Sequence, residues 1–157
     1  MGFKKVLLFF SLFVCIESDI KLSKTNSSDS LDRFIQLSGN NVRSINDNYL
    51  IDIYAGNKFD NIAGLQFETI GKDFSLVRAS GGLAEASGFK FYPGSGGVIL
   101  AFSLEGKIIS ANTVNKPLIT LEVKKHTKKS ADLKLKTIIA GEKGVKLESI
   151  FSPLNLK

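Results

Sequence analysis

Apolar and polar residues alternate with a period of two along much of the chain, the pattern of β-strands that bury one face. In residues 117–125, "PLITLEVKK", Ile119, Leu121 and Val123 alternate with polar side chains. Further stretches with this alternation are 49–56, 62–70, 131–141 and 144–151. A first strand is predicted at 33–39 and a loop at 40–47. The pattern predicts an all-β protein whose antiparallel sheets pack face to face as a sandwich.

Residues 97–106, "GVILAFSLEG", form one of these predicted strands, and both of its alternating sets are rich in apolar residues. The predicted inward set is Val98, Leu100, Phe102 and Leu104. The predicted outward set is Ile99, Ala101, Ser103 and Glu105. A one-residue slip in this strand would exchange the two sets. In the last predicted strand, 144–151, the inward residues are Val145 and Leu147.

"GGLAEASGF", residues 81–89, interrupts the strand pattern with a short alanine-rich segment between glycines. It predicts a single helical turn that packs across a sheet edge, with Leu83 and Phe89 buried and Glu85 exposed. Gly88 is predicted to end the turn in the left-handed conformation. A turn this short is unstable by itself, so its helicity depends on tertiary packing.

The N-terminal residues 1–18, "MGFKKVLLFFSLFVCIES", place two lysines before an apolar run, the layout of a secretory signal peptide. The run is shorter than the roughly 20 apolar residues of a membrane span. Cleavage after Ser18 is predicted, with an uncleaved anchor and a lipoprotein signal at Cys15 as the alternatives. Residues 19–32 are polar and predict a disordered arm before the folded domain, 33–157. The predicted location is secreted or extracytoplasmic, with no membrane span after cleavage.

The cysteine count and the charge distribution limit which cross-links, metal sites and partners are expected. Cys15 is the only cysteine, so the cleaved chain would have no disulfide and no thiolate metal site. The net charge is +6, and its densest cluster is "KKHTKK" at 124–129. This cluster indicates either a solubilising loop between strands or a surface for nucleic acid, an anionic glycan or lipid. Export disfavours nucleic acid, so no nucleic-acid partner is predicted.

Catalytic chemistry has few candidates in the sequence. His126 is the only histidine and lies among lysines, with no neighbouring carboxylate to orient it. Five acids are candidates for a carboxylate pair, but their spacing selects no pair: Asp52, Glu68, Asp73, Glu85 and Glu105. The loop oxygens near Asp47, Asp60 and Asp73 lack the dense spacing of a calcium loop. The chain is therefore predicted to be no enzyme and to carry neither cofactor nor metal.

The strands at 60–70, "DNIAGLQFETI", and 96–106, "GGVILAFSLEG", resemble the third and sixth strands of a cohesin domain. "ISANTVNKPLITLEVK" at 109–124 is similar to the family's loop and seventh strand. The likeness covers about residues 33–152, and "TIGKDF" stands where cohesins commonly have a Tyr-Asp pair. The resemblance implies an antiparallel jelly-roll β-sandwich of about nine strands, here with one short helical turn.

The resemblance also implies a function: a non-enzymatic, monomeric binding module that recognises a dockerin-type protein partner across one sheet. Transferred to this chain, the outward residues of that sheet are Gln66, Glu68, Lys90, Tyr92, Ile99, Ala101, Ser103, Lys134 and Lys136. The alternative is a polysaccharide-binding module on the same fold. Exposed rows of aromatic rings would favour sugar, whereas a flat polar sheet with a few apolar anchors would favour protein.

Overall fold

The computed structural model of the protein describes residues 34–56, 60–112 and 115–157. The predicted leader (1–18), the predicted arm (19–32) and the first residue of the predicted domain, Arg33, lie outside the described residues. The strands are β1 (Ile35–Ile45), β2 (Asn48–Gly56), β3 (Ile62–Thr69), β4 (Phe74–Ser80), β5 (Lys90–Pro93), β6 (Ile99–Phe102), β7 (Ile119–Lys125), β8 (Ala131–Leu133), β9 (Leu135–Gly141), β10 (Lys146–Leu147), β11 (Ser149–Phe151) and β12 (Leu154–Leu156). A helical turn, α1 (Gly82–Ala86), lies between β4 and β5, and a 3₁₀ turn, Glu142–Gly144, lies between β9 and β10.

Two five-stranded sheets make up the body of the described chain. The first sheet has the strand order β11-β1-β2-β7-β4, and the second has the order β10-β9-β3-β6-β5. β12 and β8 form a separate two-stranded sheet. The pairing of β1 with β11 is parallel, and the other strand pairs are antiparallel. The predicted all-β class and antiparallel jelly-roll sandwich are confirmed, as is the short helical turn.

The core lies between the two sheets and is filled by the inward residues of the alternating strands. In the first sheet Ile51 and Leu121 have no exposed surface, and in the second Phe67 and Ile139 have none. Each fully buried aliphatic or aromatic side chain stabilises the fold by about 1.5–3 kcal/mol. The alternation predicted for β7 is confirmed, since Ile119, Leu121 and Val123 are fully buried.

The edges of the sandwich depart from the sequence prediction. β1 continues to Ile45, through the segment predicted as a loop, because a bulge between Asn40 and Arg43 lets the strand stay paired with β2. Asn41, in this bulge, has a positive φ of 50°, which asparagine tolerates. β4 was not predicted, and Val145, predicted to face inward, is exposed because it lies between the 3₁₀ turn and β10.

The helical turn α1 packs against the chain that enters β7. The backbone amides of Leu83 and Ala84 donate to the carbonyl oxygens of Pro117 and Leu118 at 2.9 and 3.0 Å. These bonds satisfy amides that the first turn of a helix leaves without intrahelical partners. The turn therefore belongs to the sandwich and has no helical layer of its own.

The predicted burial of this segment is confirmed in two of three positions. Phe89 is buried and Glu85 is exposed, as predicted. Leu83 is half-buried at the edge of the core, and Ala84 is the fully buried residue of the turn. The prediction of a buried Leu83 was wrong because the amide contacts to 117–118 turn Ala84 toward the core. Gly88 has the predicted left-handed conformation, with φ 80°.

We expect Phe89→Ala to lower the free energy of unfolding by about 3–5 kcal/mol, because it opens a cavity at a fully buried ring. Leu83→Ala should lower it less, since Leu83 is half-buried. Glu85→Ala should lower it by about 1 kcal/mol or less, through loss of the 2.8 Å bond from the Gly81 amide. Urea melts measure the free energy of unfolding of the three variants. Equal losses in all three would contradict the packing described.

The close approach of α1 to β7 requires glycine at position 82. Its φ is 66°, and a Cβ atom there would lie 2.6 Å from the Leu118 carbonyl oxygen. Gly96 is a matched control, with φ 74° and no atom within 4 Å of such a Cβ. Gly96→Ala should cost about 1–2 kcal/mol for the left-handed conformation alone. Gly82→Ala should cost about 1–3 kcal/mol more, because backbone must move. Thermal melts measure both variants. Equal losses of stability in Gly82→Ala and Gly96→Ala would contradict this close contact.

Candidate binding face

The outer face of the first sheet carries two carboxylates that are nearly buried, Asp52 on β2 and Glu122 on β7. Arg43 donates two hydrogen bonds to Asp52, at 3.0 and 2.8 Å. The Thr120 hydroxyl donates to the same carboxylate at 2.7 Å, and the Asn41 amide at 3.3 Å. The Arg43 guanidinium holds the pKa of Asp52 below its usual value; burial opposes this, and the bonds from Thr120 and Asn41 reinforce it.

Glu122 is bound in the same way on the neighbouring strand. The Arg78 guanidinium donates to one of its oxygens, and the Asn48 amide donates to the other at 2.6 Å. The bond from Arg78 is the main cause of a lowered Glu122 pKa, and the bond from Asn48 adds to it. Both pKa values are therefore lowered, and each carboxylate oxygen accepts at least one hydrogen bond, so neither group suits the proton-donor role of a hydrolase.

The other candidates for chemistry are not brought together. His126 contacts the Ser75 hydroxyl at 2.9 Å, and no carboxylate orients its ring among the residues that the structure describes. The described residues also contain no group of three or more metal-ligating side chains. The outer face of the first sheet is thus a structural network of charges.

The outer face of the second sheet has a different character. Outward residues lie opposite one another in rows, because the strands pair in register. One row runs Lys90, Phe102, Gly64, Ala140, and the next runs Tyr92, Leu100, Gln66, Ile138. Beyond the end of β6, Glu68 lies opposite Lys136. Apart from Gln66, the centre of the face is therefore apolar, and its margin is charged.

Tyr92 and Phe102 form the largest feature of this face. Their rings stack with centroids 4.7 Å apart and an interplanar angle of 26°. Both are half-buried, because each covers part of the other. The pair is a compact anchor, and it is unlike the open row of coplanar rings that stacks on a sugar chain.

Gly64 lies in the middle of the face, where folding does not demand glycine. Its φ lies outside the left-handed region, and a Cβ atom would meet its nearest neighbour, the Ala140 Cβ, at an ordinary 3.6 Å. Glycine weakens a strand interior and often marks a place where a ligand or another backbone approaches closely. Gly64 and Ala140 leave a shallow step beside the Tyr92–Phe102 pair.

Seven of the nine predicted partner-binding residues lie at the surface. Lys90, Lys134 and Lys136 are exposed, and Gln66, Glu68, Tyr92 and Ser103 are half-buried. Gln66, Glu68, Lys90, Tyr92 and Lys136 share the outer face of the second sheet, Lys134 precedes β9, and Ser103 follows β6.

The predicted outward orientation of Ile99 and Ala101 was wrong. Their exposed fractions are 4% and 0%, and they pack in the core. β6 reads "ILAF" and is apolar on both faces, so its alternation could not show which set faces inward. The predicted inward orientation of Leu100 and Phe102 was also wrong, since both lie on the outer face, and Leu104 is exposed. Ile138 is a further face residue that the alternation did not identify. The pairing of Tyr92 with Leu100 fixes the register that would have identified Leu100 and Phe102.

No model of a known protein family matches the chain, and no curated protein matches it. Among solved structures, the chain is similar to a non-cellulosomal cohesin from the hyperthermophilic archaeon Archaeoglobus fulgidus. The TM-score is 0.50 at 10% sequence identity, over 78% of this chain and 87% of that chain. At this identity the likeness concerns the fold alone, and the fold is cohesin-like. Among the described residues, no helix is long and apolar enough to cross a membrane.

The Asp52 and Glu122 networks predict how stability depends on pH. Because both pKa values are lowered in the folded state, their contribution is complete above the unfolded pKa values of about 4. It is lost as pH falls through the folded values. The free energy of unfolding should therefore decrease below about pH 4. Asp52→Asn should flatten this decrease, and at neutral pH it should cost about 1–3 kcal/mol.

Asp47→Asn is the matched control, since Asp47 is exposed in the turn between β1 and β2. Urea melts from acid to neutral pH measure both variants. An acid slope that Asp52→Asn leaves unchanged would contradict the role of this carboxylate.

Proposed function

We propose that the protein is an exported, non-enzymatic binding module that recognises a protein partner of the dockerin type. The partner contacts the outer face of the second sheet. The observation that carries the proposal is the apolar centre of this face, formed by the Tyr92–Phe102 pair with Leu100 and Ile138 around the step at Gly64. An apolar centre within a charged margin is the composition of a protein–protein interface.

The contrast between the two outer faces supports this choice. On the first sheet, the network of Arg43, Asp52, Arg78 and Glu122 makes the central strands polar. Its most exposed apolar side chains, Val77 and Ile150, lie apart from each other on the two edge strands, β4 and β11. On the second sheet, half-buried apolar side chains lie in adjoining rows. Desolvation of such side chains, rather than exposed ion pairs, supplies most of the affinity in protein interfaces.

The fold and the predicted leader support the remaining parts of the proposal. A cohesin-like sandwich is the scaffold of a binding module, and the lowered pKa values of the hydrogen-bonded Asp52 and Glu122 carboxylates favour a non-catalytic role. The leader predicted at 1–18 supports export. The polysaccharide alternative is less favoured on this face, because Tyr92 and Phe102 stack on each other.

The step at Gly64 gives a test in which binding and stability change in opposite directions. Gly64→Val should raise the free energy of unfolding by about 0.5–1 kcal/mol, since a β-branched residue replaces glycine in a strand. It should weaken partner binding at least about tenfold, because the side chain fills the step. Phe102→Ser should weaken binding by about 2 kcal/mol or more as the loss of an anchor.

Gly56→Val and Ile150→Ser are the matched controls, since Gly56 and the exposed Ile150 belong to the first sheet. The wild-type chain and the four variants are immobilised, and envelope and medium proteins of the source organism are captured and identified by mass spectrometry. The partner is then titrated against each chain, and melts report stability. If all five chains retain the partner equally, the outer face of the second sheet is excluded as its binding site. Depletion of the wild-type chain by insoluble cellulose or xylan, without protein capture, would favour the polysaccharide alternative.

A further inference from the structure

Lysines collect at one end of the sandwich, where two connections meet. The first is the turn at 70–73 between β3 and β4, and the second is the loop at 126–130 between β7 and β8. The His126 amide donates to the Asp73 carbonyl oxygen at 2.7 Å, which fixes the loop beside the turn. The Ile70 amide donates to the Lys134 carbonyl oxygen at 2.9 Å, which fixes the start of β9 on the other side.

These contacts place Lys72, which is distant in sequence, between the lysines of residues 124–129 and those of residues 134–136. We use the term lysine rim for six exposed side chains: Lys72, Lys124, Lys128, Lys129, Lys134 and Lys136. Lys125 is half-buried, and its Nζ donates to the Leu156 carbonyl oxygen at 3.0 Å, so it is not part of the rim.

The rim carries an excess of positive charge that the described structure does not neutralise. Segments 68–73 and 124–136 contain seven lysines against three acids, Glu68, Asp73 and Asp132. Among the described residues, the ion pairs join Arg43, Arg78, Lys107 and Lys146 to their acidic partners, and none involves the rim. Exposed like charges repel within the screening length of about 8–10 Å. An anionic ligand would relieve this repulsion.

The side chains of the rim favour an anionic polymer without aromatic bases over nucleic acid or a membrane surface. The two segments contain no arginine, phenylalanine, tyrosine or tryptophan, so they lack the side chains that commonly stack on bases or anchor in a lipid interface. The loop at 126–130 exposes polar side chains, and Ile70 is the large exposed aliphatic residue nearby. Lysine ammonium groups on flexible stems bind as separate point charges, which suits a repeating ligand without a fixed shape.

From these observations, we propose that the lysine rim binds a linear anionic polysaccharide that carries repeating carboxylate or sulfate groups. The predicted export of the chain would place the rim among such polymers. The site is independent of the proposed partner-binding face except for Lys134 and Lys136, so the test leaves these two residues unchanged.

The test compares two triple variants that remove the same charge from the full chain. K72S/K128S/K129S removes rim lysines, and K107S/K116S/K146S removes exposed lysines that belong neither to the rim nor to the predicted partner-binding residues. Calorimetric titrations use fragments of polygalacturonate and of heparin, with neutral dextran as the uncharged control. The wild-type chain should bind one or both anionic polymers, with affinity that decreases as salt rises. The rim variant should lose about tenfold or more in affinity, and the control variant about threefold or less.

Three results would overturn the proposal. The first is no binding of either anionic polysaccharide at low salt. The second is an equal loss in both triple variants, which would indicate attraction by net charge alone. The third is binding of polyglutamate or of vesicles containing phosphatidylserine at least as tight as binding of the polysaccharides, since the ligand would then be an acidic protein or a membrane. Unchanged melting temperatures verify that both variants fold, and failure here leaves the protein-partner experiment unaffected.

Discussion

Burial of the inner faces of the two sheets is the interaction on which the rest of the structure depends. The chain has a single cysteine and so cannot form an internal disulfide, and the described residues hold no metal-ligating cluster. Stability must therefore come from side chains such as Ile51, Phe67 and Leu121, which meet between the sheets. Because the inner faces supply the stability of the fold, the outer faces need not resemble each other, and their side chains differ. One has paired charges on its central strands, while the other has a cluster of half-buried apolar side chains.

The sequence predicts the parts of the fold in which the two faces of a strand have opposite character. β3 and β7 have clear alternation, so Leu65, Phe67 and Val123 could be assigned to the core. Where both faces are apolar, as in β6, alternation carries no information about direction. β4 escaped prediction because a bulge between Leu76 and Arg78 interrupts its period and leaves Val77 exposed.

The same reasoning explains what could be predicted of the candidate site. Lys90, Tyr92 and Gln66 were assigned correctly to the surface. Gln66 lies between the buried Leu65 and Phe67, and Lys90 and Tyr92 alternate with Phe89 and Phe91, which pack in or against the core. The Tyr92–Phe102 stack depends on the register between two strands, which no local pattern encodes. The step at Gly64 likewise exists only once β6 and β9 lie on either side of β3. The lysine rim is intermediate: "KKHTKK" was visible as a cluster, but its continuation through Lys72 and Lys134 arises from backbone contacts.

The parallel pairing of β1 with β11 joins distant parts of the chain, which has a consequence for folding. Ile35 lies opposite Ser149, so one edge of the first sheet joins segments separated by most of the chain. β12 then pairs with β8, and the Tyr49 hydroxyl donates to the Lys157 carbonyl oxygen at 2.8 Å. Closure of such long loops is entropically costly, and folds dominated by distant pairings form slowly. The sandwich is therefore completed only after its last strands have been synthesised, and a nascent chain that stays open until then suits the proposed passage through an export channel.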